Sequence, residues 1–133
     1  MISQTGGGME IFMEKKYFVY LLKCSDQSLY CGYTDDVEKR LKVHNSGKGA
    51  KYTKSHQVIA LDALWSAETR SEASMLEAAI KRLRPEKKRQ LIESPERLAV
   101  FLGARLDTSI YRAEATFSLA PLLAQAGQVL PHG

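Results

Sequence analysis

The sequence predicts an α/β fold of the α+β kind, in which helices flank a small sheet, and three observations predict it. Two strand-like runs, 17–24 and 28–33, stand on either side of the turn-like Ser25-Asp26-Gln27. A third run, 58–65, alternates Ile59, Leu61, Ala63 and Trp65 on one face. Between and beyond these runs the apolar spacing becomes helical, with a stripe of Ala73, Leu76, Ile80 and Leu83 as the clearest case. A chain of 133 residues suits one domain with its own core.

Taken in order, residues 1–14 hold Gly6-Gly7-Gly8 and no periodic pattern, and read as a flexible leader in which Met9 and Met13 are alternative starts. The hairpin comes next. A three-residue loop, Ser25 to Gln27, sets Leu22 opposite Tyr30 and Tyr20 opposite Gly32, so both tyrosines point to one sheet face. A two-residue loop would separate them. The three-residue form asks its last residue to be left-handed, a place that favours glycine and is taken here by Gln27 at a cost of about 1–2 kcal/mol. Thr34, Asp35 or Asp36 then caps a short helix that stops before Asn45-Ser46-Gly47 and carries Val37, Arg40, Leu41 and His44 on one face. An arginine and a histidine on a core-facing stripe fit the edge of a cleft; the plainer reading is an arginine stem covering the core with its head in water.

The loop Gly47-Lys48-Gly49-Ala50-Lys51-Tyr52-Thr53 alternates small residues with cations and would let a phosphate backbone approach, although its glycine spacing is not that of a nucleotide-hydrolase phosphate loop. After the third strand, Thr69-Arg70-Ser71-Glu72 matches a capping box. The helix it opens places Glu77 beside the apolar stripe, where a carboxylate can reach a cleft or simply face water. Pro85 ends that helix or begins another, and a further helix is expected from Ser94-Pro95-Glu96, with Leu98, Phe101, Leu102 and Arg105 or Leu106 on one side. The organisation expected is a leader (1–14), a main domain (15–92), and a helical extension with a tail (93–133). Beyond Asp107 the alanine- and leucine-rich chain shows no clear period, and sheet cover, self-association and disorder all fit it.

The net charge of +4 is modest but unevenly spread. Lys39, Arg40, Lys42, Lys48, Lys51 and Lys54 come after Glu38 without an acid, and Lys81, Arg82, Arg84, Lys87, Lys88 and Arg89 are interrupted only by Glu86. Such stretches suit a polyanionic partner, or else are solvated helix faces. The nucleic-acid-binding candidates are Lys39, Lys48, Lys51, Tyr52, Lys54, Lys81 and Arg82. Cys24 and Cys31 make no disulfide scaffold, and no secretory signal is visible, which suggests a cytoplasmic setting. No apolar run approaches the roughly 20 residues that span a bilayer, so no membrane role is expected. Cys24, Cys31, His44, His56 and His132 lack paired zinc-ligand spacing.

The chemistry-bearing set is Tyr20, Tyr30, Arg40, His44 and Glu77, with Tyr30-Cys31-Gly32 ending the hairpin. Phosphodiester cleavage needs an activated water, charge stabilisation on phosphoryl oxygens and help for the leaving alkoxide. Glu77 is the candidate metal ligand, since one carboxylate suffices to start a magnesium site completed by waters and phosphate oxygen. Arg40 offers a permanently charged planar fork that matches phosphate. His44, with an ordinary pKa near 6.5, is mostly neutral at cellular pH and able to accept a proton, whereas a tyrosine near 10 would need about 4 kcal/mol of help to act as a base.

Phe18-Val19-Tyr20, Tyr30-Cys31-Gly32, Arg40, the run Val43 to Thr53, Glu77 and Ile80-Lys81-Arg82-Leu83 together resemble the GIY-YIG nuclease superfamily, closest to its small single-domain bacterial proteins. The resemblance covers about 16–92. Phe18 stands in place of the first motif's glycine, Tyr33 in place of the lysine that comes after the second motif in the repair enzymes, and the asparagine many relatives carry after the glutamate helix has no clear counterpart. The resemblance implies a three-stranded antiparallel sheet flanked by helices, and an endonuclease dependent on Mg2+ or Mn2+ that acts on DNA, branched or single-stranded forms included, in repair or recombination. It implies Tyr30 as the group that activates the nucleophile, assisted by His44, and Tyr20 as the one that orients water or phosphate. With no separate recognition domain in the chain, targeting would come from substrate shape or a partner protein. A non-catalytic nucleic-acid-binding module is the second reading, and an adaptor using the C-terminal helices the third.

Overall fold

The computed structural model describes residues 15–45 and 57–119. Its elements in chain order are β1 (Tyr17–Cys24), β2 (Leu29–Thr34), α1 (Val37–Asn45), β3 (Val58–Ala67), α2 (Arg70–Lys81), α3 (Pro85–Glu93), α4 (Leu98–Leu102), a 3-10 turn (Thr108–Ile110) and β4 (Arg112–Ala113). The strands form one sheet in the order β2-β1-β3-β4, antiparallel throughout.

The hairpin has the expected register. Tyr20 lies opposite Gly32 and Leu22 opposite Tyr30. Gln27 takes φ of 72°, the left-handed conformation that the three-residue loop demands, and its N–H donates to the Cys24 carbonyl at 2.9 Å. Asp26 steadies the turn by accepting from both the backbone N–H and the hydroxyl of Ser28, at 3.0 and 2.6 Å.

The sheet separates two cores. Val19, Leu21, Cys31, Ala63 and Trp65 face α2, α3 and α4, whose Ala73, Leu76, Ile80, Leu91, Leu98 and Leu102 complete that side. Tyr20, Leu22, Cys24, Leu61 and Leu64 face α1, which contributes Val37 and Leu41. Cys24 and Cys31 are therefore thiols buried on opposite faces, kept apart by the sheet itself. Trp65 is fully buried, and its indole N–H donates to the Pro95 carbonyl at 2.8 Å, pinning the α3–α4 connection to the sheet.

Two expectations need correction. The third strand does not keep one alternating face: its pairing with β1 slips between Leu21 and Leu22 and again between Lys23 and Cys24. Leu61 is thereby turned to the α1 side while Ala63 and Trp65 keep the α2 side, and Ile59 is exposed. A bulge of this kind adds a residue and reverses the facing of the strand beyond it, which period-two reading cannot detect. Among the described residues the sheet also has four strands rather than three. The added edge strand, Arg112–Ala113, pairs with Trp65 and Ser66 and is too short to show a pattern in the sequence. It is fastened by the Ser66 hydroxyl donating to the Glu114 carboxylate at 2.6 Å and by the Tyr111 hydroxyl donating to the Glu72 carbonyl at 2.7 Å.

The helix starts sit at their capping residues. Asp36 accepts from the Lys39 N–H at 3.1 Å and opens α1, while Thr69 accepts from the Glu72 N–H at 3.1 Å and opens α2. Pro85 begins a new helix at its first position.

Candidate active site

The edge strand β2 carries the first pieces of the site. Tyr30 and Gly32 point to the α1 side, and Tyr20, directly opposite Gly32 on β1, lays its ring across that glycine. A β-carbon at residue 32 would come within 2.4 Å of the Tyr20 hydroxyl oxygen and 2.7 Å of its Cζ, so only glycine leaves room for the ring. The tyrosine rings are tilted against each other with centroids 6.5 Å apart. Cys31, facing the other way, directs its thiol at the Glu77 carbonyl over 3.9 Å, a weak contact that ties β2 to the middle of α2.

A cleft of about 300 Å³ is lined by Tyr20, Tyr30, Gly32, Tyr33, Thr34, Asp35, Arg40, Arg70 and Glu77. Arg40 comes from α1 and Glu77 from α2, helices that lie on opposite faces of the sheet, so the cleft opens across the outer edge of β2. Four of the five chemistry-bearing candidates thus converge from four different elements. His44 stands apart. It is 4% exposed, is absent from the cleft wall, and packs edge-on to Tyr30 with centroids 5.1 Å apart and planes at 74°. Among the described residues neither of its buried ring nitrogens has a hydrogen-bond partner.

The electrostatics divide these groups. Burial, reinforced by the neighbouring Tyr30, pushes the Tyr20 hydroxyl well above the ordinary tyrosine range, and Arg40 only partly opposes this. Tyr20 is accordingly a neutral hydrogen-bond donor near neutral pH. Burial, with help from Arg40, lowers the His44 pKa below its ordinary 6.5, so His44 is neutral as well. Burial raises the Cys31 thiol to about 12, and the Glu77 charge acts in the same direction, leaving the thiol un-ionised.

Glu77 has a side chain 19% exposed, and its Oε2 lies 3.2 Å from Lys81 Nζ one turn along. Asp35, the other carboxylate on the wall, is 3.0 Å from Lys15. Among the described residues no group of three or more histidine, cysteine or acidic side chains is placed to cage a metal ion. The donor set fits a hard cation that keeps most of its waters, takes one carboxylate and fills its shell with substrate phosphate oxygens, which is the habit of magnesium.

Of the nucleic-acid-binding candidates, Lys39 borders the cleft through an adjoining depression that shares Thr34, Asp35 and Arg40. Lys81 and Arg82 are exposed at the end of α2. Lys48, Lys51, Tyr52 and Lys54 lie outside the described residues. A larger depression, about 450 Å³, lies between α3 and α4 among Leu83, Lys87, Gln90 and Phe101 and holds none of the five chemistry-bearing candidates. Reading the sequence for its motifs overlooked Arg70, Tyr33, Thr34 and Asp35 as cleft residues. Arg70 had a signal: it precedes Glu77 by seven, which is two helical turns and therefore the same face.

Comparison with known proteins matches residues 16–90 to the family described as the GIY-YIG catalytic domain. A UPF0213 protein of Bacillus velezensis is 49% identical over 81 residues, covering 61% of this chain and 82% of that one. Another UPF0213 protein, from Haloquadratum walsbyi, is 47% identical over 61% of this chain and 91% of its own length. A solution NMR structure of the UPF0213 protein BH0048 from Bacillus halodurans is 45% identical, covers 59% of this chain and 83% of that one, and superposes with a TM-score of 0.40.

Proposed function

This chain belongs to the GIY-YIG family, within the nuclease superfamily of that name, and on that premise we propose that it is a magnesium-dependent endonuclease hydrolysing DNA phosphodiesters through backbone and shape recognition. The observation that carries the proposal is the meeting of Tyr20, Tyr30, Arg40 and Glu77, drawn from four elements, on the wall of one cleft. Residues so far apart in sequence have no packing reason to share a polar hollow, and their chemistry is what phosphoryl transfer needs.

In this reading Arg40 binds the phosphoryl oxygens with its planar fork and opposes the charge that builds on them in the transition state. Glu77 would hold the metal ion, and that ion would supply Lewis acidity at the phosphate. Lys81, paired with Glu77 at 3.2 Å, would be released to meet phosphate if the carboxylate turned to a cation. Tyr20, kept protonated by burial, donates its O–H to a phosphate oxygen or to the attacking water and so orients it. Tyr30 positions that water or takes its proton. His44 acts through Tyr30, as a buried neutral ring against which the phenol is seated. DNA repair or recombination is the process class proposed for the activity, with targeting supplied by substrate shape or a partner protein.

The Glu77–Lys81 ion pair supports a second reading, a nucleic-acid-binding module in which the carboxylate serves the helix rather than a metal. Labelled duplex, single-stranded, flap and branched DNA, incubated with Mg2+ or a chelator, separate the two. Metal-dependent cleavage lost in Arg40→Ala and Glu77→Ala, and not restored by Arg40→Lys, supports the nuclease. Salt-sensitive binding without cleavage, unaltered by Glu77→Ala, supports the module.

A further inference from the structure

We propose that Arg70 forms a second phosphate subsite in the cleft, gripping a backbone phosphate that flanks the scissile one in the same strand. The proposal rests on the nucleic-acid reading above and adds to it the length of substrate the cleft engages. Arg70 opens α2, is exposed, and lines the cleft together with Arg40 and Glu77. Its guanidinium carbon lies 5.2 Å from the centroid of the Tyr17 ring, within cation–π range. Tyr33, itself on the cleft wall, is near enough for its hydroxyl to favour the charged guanidinium. Stacking on Tyr17 thus steadies the fork before any ligand arrives, which reduces the side-chain freedom that would be lost on binding.

Charge and spacing both favour a flanking phosphate. Among the described residues, Asp35, the carboxylate whose charge acts on Arg70, pairs with Lys15 at 3.0 Å rather than with the guanidinium. Seven residues at 1.5 Å each set the Arg70 backbone about 10.5 Å from that of Glu77 along one helix face. Phosphates of one strand succeed each other at about 3.4 Å of duplex rise, so a scissile phosphate at Glu77 brings a neighbour within about three nucleotides of Arg70. Arg40 reaches the cleft from the other side of the sheet, so a strand crossing the β2 edge meets both guanidinium groups. An ammonium group cannot reproduce the fork geometry.

The test compares wild type with Arg70→Ala and Arg70→Lys, each checked for an unchanged thermal melt. Anisotropy of a labelled single-stranded oligodeoxynucleotide in chelator should show about tenfold weaker binding for Arg70→Ala, partial recovery for Arg70→Lys, and a salt slope shallower by about 0.7 in Arg70→Ala. With Mg2+, the preference in kcat/KM for the oligonucleotide over a dinucleotide with one phosphodiester should shrink about tenfold in Arg70→Ala, through KM. Affinity and salt slope equal to wild type would overturn the subsite. So would an equal fall in kcat on both substrates, which would put Arg70 at the scissile phosphate. If wild type binds but cleaves neither substrate, the nuclease reading fails while the binding arm still decides Arg70.

Discussion

At the scale of single residues, Gly32 and His44 carry consequences that differ in kind. The Tyr20 ring occupies the space a side chain at residue 32 would need, and Tyr20 is itself only 2% exposed, so the ring has little room to yield. Gly32→Ala should therefore destabilise the fold by about 1–3 kcal/mol, as overpacking does, and reduce cleavage more than this loss explains because the displaced group is the Tyr20 hydroxyl. Denaturant unfolding and a single-turnover rate on the same sample check it; a stable variant with full activity would refute the role given to Tyr20. His44 predicts a pH effect. Its folded-state pKa lies below the unfolded 6.5, through burial and then Arg40, so the unfolded chain takes up the proton first as pH falls. Stability contributed by neutral His44 is intact above 6.5 and lost as pH drops from there through the depressed folded value. The unfolding midpoint should fall between roughly pH 7.5 and pH 5.5, and His44→Phe, which keeps a ring against Tyr30, should lessen that fall. An equal fall in both proteins would mean that other groups cause it.

At the scale of elements, the hairpin was the most legible part of the molecule because its constraints agree. A three-residue loop puts both tyrosines on one face where a two-residue loop would not, and the strain that loop implies is present at Gln27, where φ is 72°. Gln27→Gly should accordingly stabilise the protein by about 1 kcal/mol, the left-handed cost removed less some chain entropy, with register and activity unchanged. A measured loss of stability would show that the side chain contributes something the turn geometry does not account for. The helix beginning at Thr69 was equally legible, since its cap, its apolar stripe and Glu77 all keep to one period. β3 was not. Its two slips relative to β1 depend on what the neighbouring strand demands, and nothing in Val58 to Ala67 marks the extra residues as glycine would. Arg70 stayed hidden for another reason: at the first position of a helix, next to its cap, an arginine looks like ordinary surface until Tyr17 is folded against it.

At the scale of the whole molecule, the sheet is a partition with helices on both sides, and the candidate site lies where that partition ends. Because β2 is an edge strand, α1 and α2 can each reach round it, one bringing Arg40 and the other Arg70 and Glu77. The segment after Asp107, which showed no period in the sequence, works as a strap. Tyr111 and Glu114 fasten it at the β3 edge, and Leu119 is buried among the residues of the α1 side. Such contacts are long-range, so no local pattern announces them. The central claim, that this edge cleft cleaves phosphodiesters through Glu77, is tested most directly by single-turnover cleavage of a labelled oligodeoxynucleotide with Mg2+, by wild type and Glu77→Ala, with binding measured alongside. Metal-dependent cleavage by wild type, reduced about a hundredfold or more in the variant at near-equal affinity, is the predicted result. Cleavage at the same rate by both proteins, or binding by wild type with no metal-dependent cleavage, would contradict it.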